Sequence, residues 1–349
     1  MQFYDKKEKY LMRSEDEIIK QWNGRTDPLV SVICPAYNHE KYIHQAIESF
    51  LIQETDFPFE VILHDDASTD STARIVNECK NKYPKIIQAI LQEENQYSKG
   101  FKISPILLPY TKGKYIAFCE GDDYWTDTKK LQKQVKILDN NPELVICGHW
   151  CSNIDEKGSF LTKQSLTGEH CPEFFNIENA LTGTPIHPNS WMYRRINWKD
   201  HKHYDLLTAL PVGDDPMMLM LLSQGTGYCM KEYCSAYRLH AGGSWSSMAE
   251  YKKSLAVLQC NVGSLFFIPK RLFFKQLLNI LSSTITTLIH LLYSSFIQCS
   301  FLPFIDIGRV ISNQKILNWY FIGILICMGV CVFPIWLVWK LIRFTLKLF

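Results

Sequence analysis

The chain has 349 residues, enough for one large domain or two of ordinary size. Its 37 Lys+Arg nearly cancel 35 Asp+Glu, giving a formal net charge of +2, and no basic run interleaves with aromatics, which argues against nucleic acid as a partner. Twelve scattered cysteines without a Cys-x-x-Cys pair, behind a charged amino-terminal stretch lacking an apolar signal core, fit free thiols in a reducing compartment.

Residues 1–28 read as a lead-in, in which Ser14 and Glu17 have the spacing of a capping box. From Leu29 strands and helices alternate. LVSVIC (29–34) is a continuous apolar run, as a buried parallel strand should be. Residues 40–53 carry Ile43, Ala46, Ile47, Phe50 and Leu51 at helical spacing. FEVILH (59–64) is the next strand, Asp70 can cap a helix over 71–82, and strands follow at 86–91 and 114–119. This alternation predicts a doubly wound, mostly parallel α/β sheet with right-handed crossovers. Beyond 141, residues 171–181 and 214–224 read as helical, and 189–195 and 227–239 as extended. Cys147-Gly148-His149-Trp150-Cys151 has no second ligand pair at zinc spacing, which favours strand and core residues. Residues 29–250 form one predicted globular domain.

Residues 251–275 read as an amphipathic linker, and 276–349 as a membrane hairpin with a basic tail. Gln276–Ile305 and Ile316–Trp339 contain no Asp, Glu, Lys or Arg, and each is long enough to cross a bilayer. The second has aromatics near both ends. The first is rich in Ser and Thr, so it can instead lie in the interface. Lys270, Arg271 and Lys275 precede the pair, and Lys340, Arg343 and Lys347 follow it. A hairpin with both ends in the cytoplasm satisfies that charge bias, the loop around Asp306–Lys315 lying across the membrane.

In doubly wound sheets ligands bind beyond the carboxyl ends of the strands. Those positions here hold Pro35-Ala36-Tyr37-Asn38, then Asp65-Asp66 with Ser68 and Asp70, then Glu120-Gly121-Asp122-Asp123. Carboxylates at spacing i, i+2 leaving a buried strand can both face a cation. Mg²⁺ and Mn²⁺ prefer oxygen ligands and complete their shells with substrate phosphates. Asp65 or Asp66 can accept a hydrogen bond from a pyrimidine imide or a ribose hydroxyl. Turn and cap roles explain the same residues equally simply one at a time.

SVICPAYNHEKYIHQAIESFLIQ, VILHDDASTDST and GKYIAFCEGDDYW, in this order and spacing, resemble family 2 glycosyltransferases over roughly residues 29–250. The resemblance implies a GT-A fold with a Rossmann-like nucleotide-binding half, inversion, a nucleotide-sugar donor and Mg²⁺ or Mn²⁺. It places Pro35, Ala36, Tyr37 and Asn38 with Asp65 and Asp66 around the nucleotide. It places Glu120 and Asp122 on the metal, with Asp122 also toward the donor. It implies an acidic pair opening a later helix, matched by Asp214 and Asp215, with Asp215 as general base. The same pair would complement the helix dipole. Tyr237-Arg238-Leu239-His240 resembles a late segment near the diphosphate, with His240 toward phosphate or metal. Asp123, Asp214 and His187, with Thr184 and Asn189, are candidates for the acceptor side. The implied enzyme is membrane-anchored and transfers sugar, with UDP-sugar as the leading donor. Its acceptor is a glycan or lipid-linked glycan in surface-polysaccharide assembly, and its catalytic domain faces the cytoplasm at the inner membrane. Transfer to a polyprenyl phosphate and an inactive nucleotide-sugar-binding scaffold stand as alternatives.

Overall fold

A computed structural model describes residues 13–161, 170–181, 183–196, 210, 213–243 and 245–298. The chain divides into two compact units, Met1–Tyr204 with Met217–Gly243, and Asp205–Pro216 with Ser244–Phe349.

The first unit opens with α1 (Glu15–Lys20), capped reciprocally by Ser14 and Glu17, which buries Ile18. β1 (Val30–Ala36), β2 (Phe59–Asp65), β3 (Ile87–Leu91) and β4 (Tyr115–Phe118) form a parallel half in the order β3-β2-β1-β4. β1 and β2 run in register from Val30 opposite Phe59 to Ala36 opposite Asp65, so their polar ends finish side by side. Both strands are buried on both faces because helices cover them. α2 (Ile43–Leu51) buries Ile43, Ala46, Ile47, Phe50 and Leu51, and α3 (Thr72–Lys82) buries Ile75, Val76 and Cys79. α4 is the short Ile103–Leu107. These four strands and the helices α2 and α3 follow the periodicity of the sequence.

The other half departs from it. β5 (Tyr124–Trp125) and α5 (Lys130–Asn140) follow the acidic rim, and α5 buries Leu131, Val135 and Leu138. β6 (Leu144–Ile154), β8 (Met192–Arg194) and β9 (Thr226–Arg238) extend the sheet to β3-β2-β1-β4-β8-β6-β9-β5, with β7 (Phe174–Phe175) also on β9. β4 pairs antiparallel to β8, β8 to β6, and β5 and β7 to β9, while β6 and β9 are parallel. The sheet of nine strands among the described residues is therefore mixed, which corrects the expectation of a mostly parallel one. A second correction concerns 171–181, where β7 and turns replace the expected helix. Phe175 packs its ring on Gly227, where an added Cβ would lie 2.2 Å from it. Docking on β9 overrides the helical spacing there. Cys147, His149 and Cys151 are buried within β6, as strand and core residues.

α6 (Asp214–Leu222) begins in the second unit, its first turn holding Asp214 and Asp215. That unit also holds α7 (Glu250–Ser264) and α8 (Phe273–Gln298), which pack through Leu258, Val262 and Ile280. The residues Lys270–His290 are long and apolar enough to cross a membrane by length and composition. The second uncharged stretch, the loop at 306–315 and the basic tail lie outside the described residues.

Candidate active site at the carboxyl rim of the sheet

The ends of β1, β2 and β4 bring the three polar motifs to one edge. Two loops are stitched together there. Asn38 N donates to Ser68 Oγ (2.9 Å), and Thr69 N donates back to Asn38 Oδ1 (2.8 Å). Glu40 N donates to Asp70 Oδ2 (3.0 Å), and Ser71 N to Glu40 Oε2 (2.9 Å). His39 N donates to Thr72 Oγ1 (2.8 Å). Asp70 Oδ1 accepts from Thr72 N (2.9 Å) at the first residue of α3, although the N-cap itself is Ser71, one residue later than the sequence suggests, and its side chain makes no capping hydrogen bond. Asn38 (φ 56°) and Ala67 (φ 58°) take left-handed backbone, which costs Ala67 energy that these hydrogen bonds must offset. Tyr37 stands 45% exposed beside them, and Ala36 is buried, its carbonyl accepting from Asp66 N (3.0 Å). Pro35 O accepts from Gly121 N (2.9 Å), tying the first rim to the third.

The two neighbouring carboxylates after β2 have different surroundings. Asp66 is saturated by the backbone of the following segment, accepting from Gln96 N (2.8 Å) and Tyr97 N (3.0 Å). Asp65 is equally buried and accepts from Ser68 N (3.0 Å) through Oδ2, and its Oδ1 has no hydrogen-bond partner among the described residues. A buried carboxylate oxygen without a partner is costly unless a ligand fills the place. The same is true of Asp122. Its Oδ2 lies 3.0 Å from His240 Nε2 and 3.5 Å from His39 Nε2, and its Oδ1 is buried without a hydrogen-bond partner among the described residues. Burial raises the pKa of Asp122, but the charge of His39 and the His240 hydrogen bond outweigh it and hold the carboxyl below its usual range.

Glu120, Asp122 and Asp123 bring carboxylate oxygens within 4.8 Å of one another. Glu120 is exposed, and Asp122 supplies the unshared buried oxygen. This all-oxygen pair suits a hard divalent cation. Asp123 differs: it accepts from Arg238 N (2.9 Å) and Asn189 Nδ2 (2.8 Å), and burial, then the neighbouring Asp122, push its pKa well up. As placed it ties β9 to the rim, with both oxygens engaged. Asn189 is wholly buried and also takes a hydrogen bond from Ser235 Oγ (2.8 Å). His187 packs its ring on Tyr237 at 4.2 Å between centroids and accepts from Asn189 N (3.3 Å), while burial pushes its pKa down to about 4.

Arg238 is the residue the sequence reading leaves without a role. Its buried guanidinium donates to Asp122 O (3.0 Å), Gln45 Oε1 (2.7 Å) and Glu156 O (3.2 Å), and lies 4.7 Å from the Tyr42 ring centre. One strand end thereby fixes the acidic rim and sets His240 beside it. The only sequence signal is an arginine two residues before that histidine. Asp214 and Asp215 open α6 in the second unit.

Residues 31–200 match the model of "Glycosyl transferase family 2". An uncharacterized protein of Mycobacterium tuberculosis is 38% identical over 220 residues, covering 62% of this chain and 61% of that one, so the chain spans under two thirds of that relative. An uncharacterized glycosyltransferase of Haemophilus influenzae is 35% identical over 236 residues, 65% of this chain and 70% of its own. TuaG of Bacillus subtilis, named for teichuronic acid biosynthesis, is 31% identical over 214 residues, covering 61% and 79%. Among solved structures, Staphylococcus aureus TarS with UDP-GlcNAc superposes with a TM-score of 0.52 at 21% identity, covering 74% of this chain and 72% of that one. The Pyrobaculum calidifontis mannosyltransferase PcManGT, with GDP-Man and Mn²⁺, gives 0.50 at 16%, covering 89% and 92%. These likenesses agree with a GT-A-like mixed α/β fold. The family model and the matched relatives establish that the chain belongs to the family 2 glycosyltransferases.

Proposed function

We propose that this enzyme transfers a sugar, with inversion, from a nucleotide-sugar donor to a hydroxyl of a glycan or lipid-linked acceptor in surface-polysaccharide assembly, at the inner membrane with its catalytic domain toward the cytoplasm. The observation that carries this reading is the pair of buried carboxylates, Asp65 and Asp122, each with one unshared oxygen at the same sheet edge. A UDP-sugar is the preferred donor. The relative named UDP-Glc:alpha-D-GlcNAc-diphosphoundecaprenol beta-1,3-glucosyltransferase WfaP of Escherichia coli, 38% identical over 112 residues, supports both a UDP donor and a lipid-linked acceptor.

In this reading Asp65 Oδ1 accepts from the imide of the base or from the ribose, between the fixed Pro35–Asn38 backbone and Tyr37. Asp122 and Glu120 hold Mg²⁺ or Mn²⁺, which when bound neutralises charge on the departing diphosphate. His240 keeps Asp122 oriented and turns toward the phosphates. Asp215 removes the proton from the acceptor hydroxyl, with Asp214 and His187 on the acceptor side. Donor transfer to a polyprenyl phosphate would need no such base.

The test is a panel of nucleotide sugars screened by thermal stabilisation with Mn²⁺. At a hundred times Kd a true donor adds about 2.7 kcal/mol. Asp122→Asn should abolish the Mn²⁺-dependent part while the unliganded protein still melts cooperatively. Undiminished Mn²⁺-dependent stabilisation in that variant would refute the assignment.

A further inference from the structure

α8 is built inside out. On an ordinary surface helix the apolar stripe faces the protein and the polar one faces water. Here the side toward α7 carries, beside the apolar contact of Ile280 with Leu258 and Val262, a row of polar contacts: Gln276 Nε2 donates to Ser264 Oγ (2.6 Å) and Asn261 O (3.1 Å), Asn261 Nδ2 donates to Ser283 Oγ (2.7 Å), and Ser254 Oγ lies 2.5 Å from His290 Nδ1. The outward side is apolar: Phe274 is 71% exposed, and Leu278, Ile285 and Ile289 are 53%, 50% and 58% exposed. Only 22% of the most apolar window of this helix is buried. Beside the apolar stripe stand the exposed cations Lys270, Arg271 and Lys275. An apolar face bordered by Lys and Arg complements an anionic lipid surface in both respects.

The same contacts decide between crossing and lying flat. They pair 264 with 276, 261 with 283 and 254 with 290, so about 15 Å of α7 runs antiparallel beside α8. If α8 crossed the bilayer, α7 would cross with it. α7 has 15 residues, fewer than the roughly 20 a span needs, and it carries Glu250, Lys252 and Lys253. The hairpin tip with Lys270 and Arg271 would then lie across the membrane from the residues that lead into α7, against the positive-inside bias if those face the cytoplasm. We propose that α8 lies in the plane of an anionic membrane surface, with Phe274, Leu278, Ile285 and Ile289 in the acyl boundary and Lys270, Arg271 and Lys275 among the headgroups. This replaces the spanning first arm of the expected hairpin, and it does not depend on the donor, metal or base assignments above.

Spin labels test it in the full chain reconstituted in vesicles of phosphatidylcholine and phosphatidylglycerol. Cys299, Cys327 and Cys331 are changed to Ser, the nine described cysteines being buried, and the variant without an added cysteine serves as the labelling blank. Labels at Phe274→Cys, Leu278→Cys, Ile285→Cys and Ile289→Cys should all be more accessible to oxygen than to an aqueous nickel chelate. They should share one shallow depth, roughly 5–10 Å below the headgroups. A depth that peaks at the middle labels means a span and overturns the proposal. Exclusion of both reagents, meaning cover by another part of the chain, overturns it too, as does free access of the nickel chelate. Lys270→Glu, Arg271→Glu and Lys275→Glu together should weaken docking of α8 on the order of 100-fold, and pure phosphatidylcholine should act likewise. Indifference to both changes would remove the anionic surface as the partner.

Discussion

Lys130 provides a measurement on the scaffold beneath the site. Its side chain is fully buried, with Nζ 4.0 Å from the centre of the Trp125 ring and 2.7 Å from Gln134 Oε1. Burial pulls its pKa down from 10.5 to about 8. Below pH 8 both folded and unfolded chains carry the charge, and the folded state bears the full cost of burying it. Between about 8 and 10.5 the unfolded chain binds the extra proton, so stability gained from this group rises with pH across that window. A shift of about 2.5 units corresponds to about 3 kcal/mol. Lys130→Met removes that cost and loses the Gln134 hydrogen bond, worth about 1 kcal/mol. The variant should be about 1–2 kcal/mol more stable at pH 7, and the advantage should vanish or reverse by pH 10. Urea unfolding followed by tryptophan fluorescence at pH 7, 8.5 and 9.5 measures the difference, and other titrating groups cancel in the comparison. A variant less stable at pH 7, or a difference flat with pH, would refute a strained buried cation. Donor binding should be unchanged, since Lys130 touches no rim residue.

Three further outcomes concern the site. Gly121→Ala would put a Cβ 2.7 Å from Ile43 Cδ1 and 3.0 Å from Ala36 Cβ and His39 Nδ1, so the loop must shift. Calorimetry should show weaker Mn²⁺-dependent donor binding together with a stability loss of about 1–3 kcal/mol. Asp66→Asn leaves one of two backbone donors, at Gln96 or Tyr97, facing an amide, costing about 1–3 kcal/mol. Hydrogen exchange should rise at residues 95–99 while the remainder of the sheet stays protected. Asp215→Asn should keep donor affinity and lose turnover by about 10²-fold or more. Collapse of donor affinity instead would make Asp215 a binding residue, and full turnover would favour a phosphate acceptor.

Much of the parallel half is legible because buried parallel strands are uninterrupted apolar runs that end in polar turns, as at Cys34-Pro35 and His64-Asp65. α2 and α3 announce themselves by spacing. α5 has the spacing of Leu131, Val135 and Leu138, and Asp127, whose Oδ1 accepts from Lys129 N (2.8 Å), marks its start. β5 and β7 have two residues each, too few for any period to show. The direction of β8 is set by pairing with β4 and β6, which no local pattern contains. In the site, Asp65 and Asp66 look alike as letters, and only the segment at Gln96–Tyr97 distinguishes them. Asn189 and Arg238 bind together elements far apart in sequence, so nothing local marks that tying role, even though the sequence singles out Asn189 for the acceptor side.

The cross-stitching of the loops after β1 and β2 has an evolutionary corollary. Each loop completes the other's hydrogen bonds, so a change at Asn38 strands Thr69 N, and a change at Asp70 strands Glu40 N. Single replacements there would be penalised before any new donor could reward them, whereas a matched exchange in both loops would not. Relatives that have moved to a different nucleotide should therefore differ at 38–40 and 68–72 together, and grafting one of these loops alone should give a poorly folded enzyme where grafting both restores it.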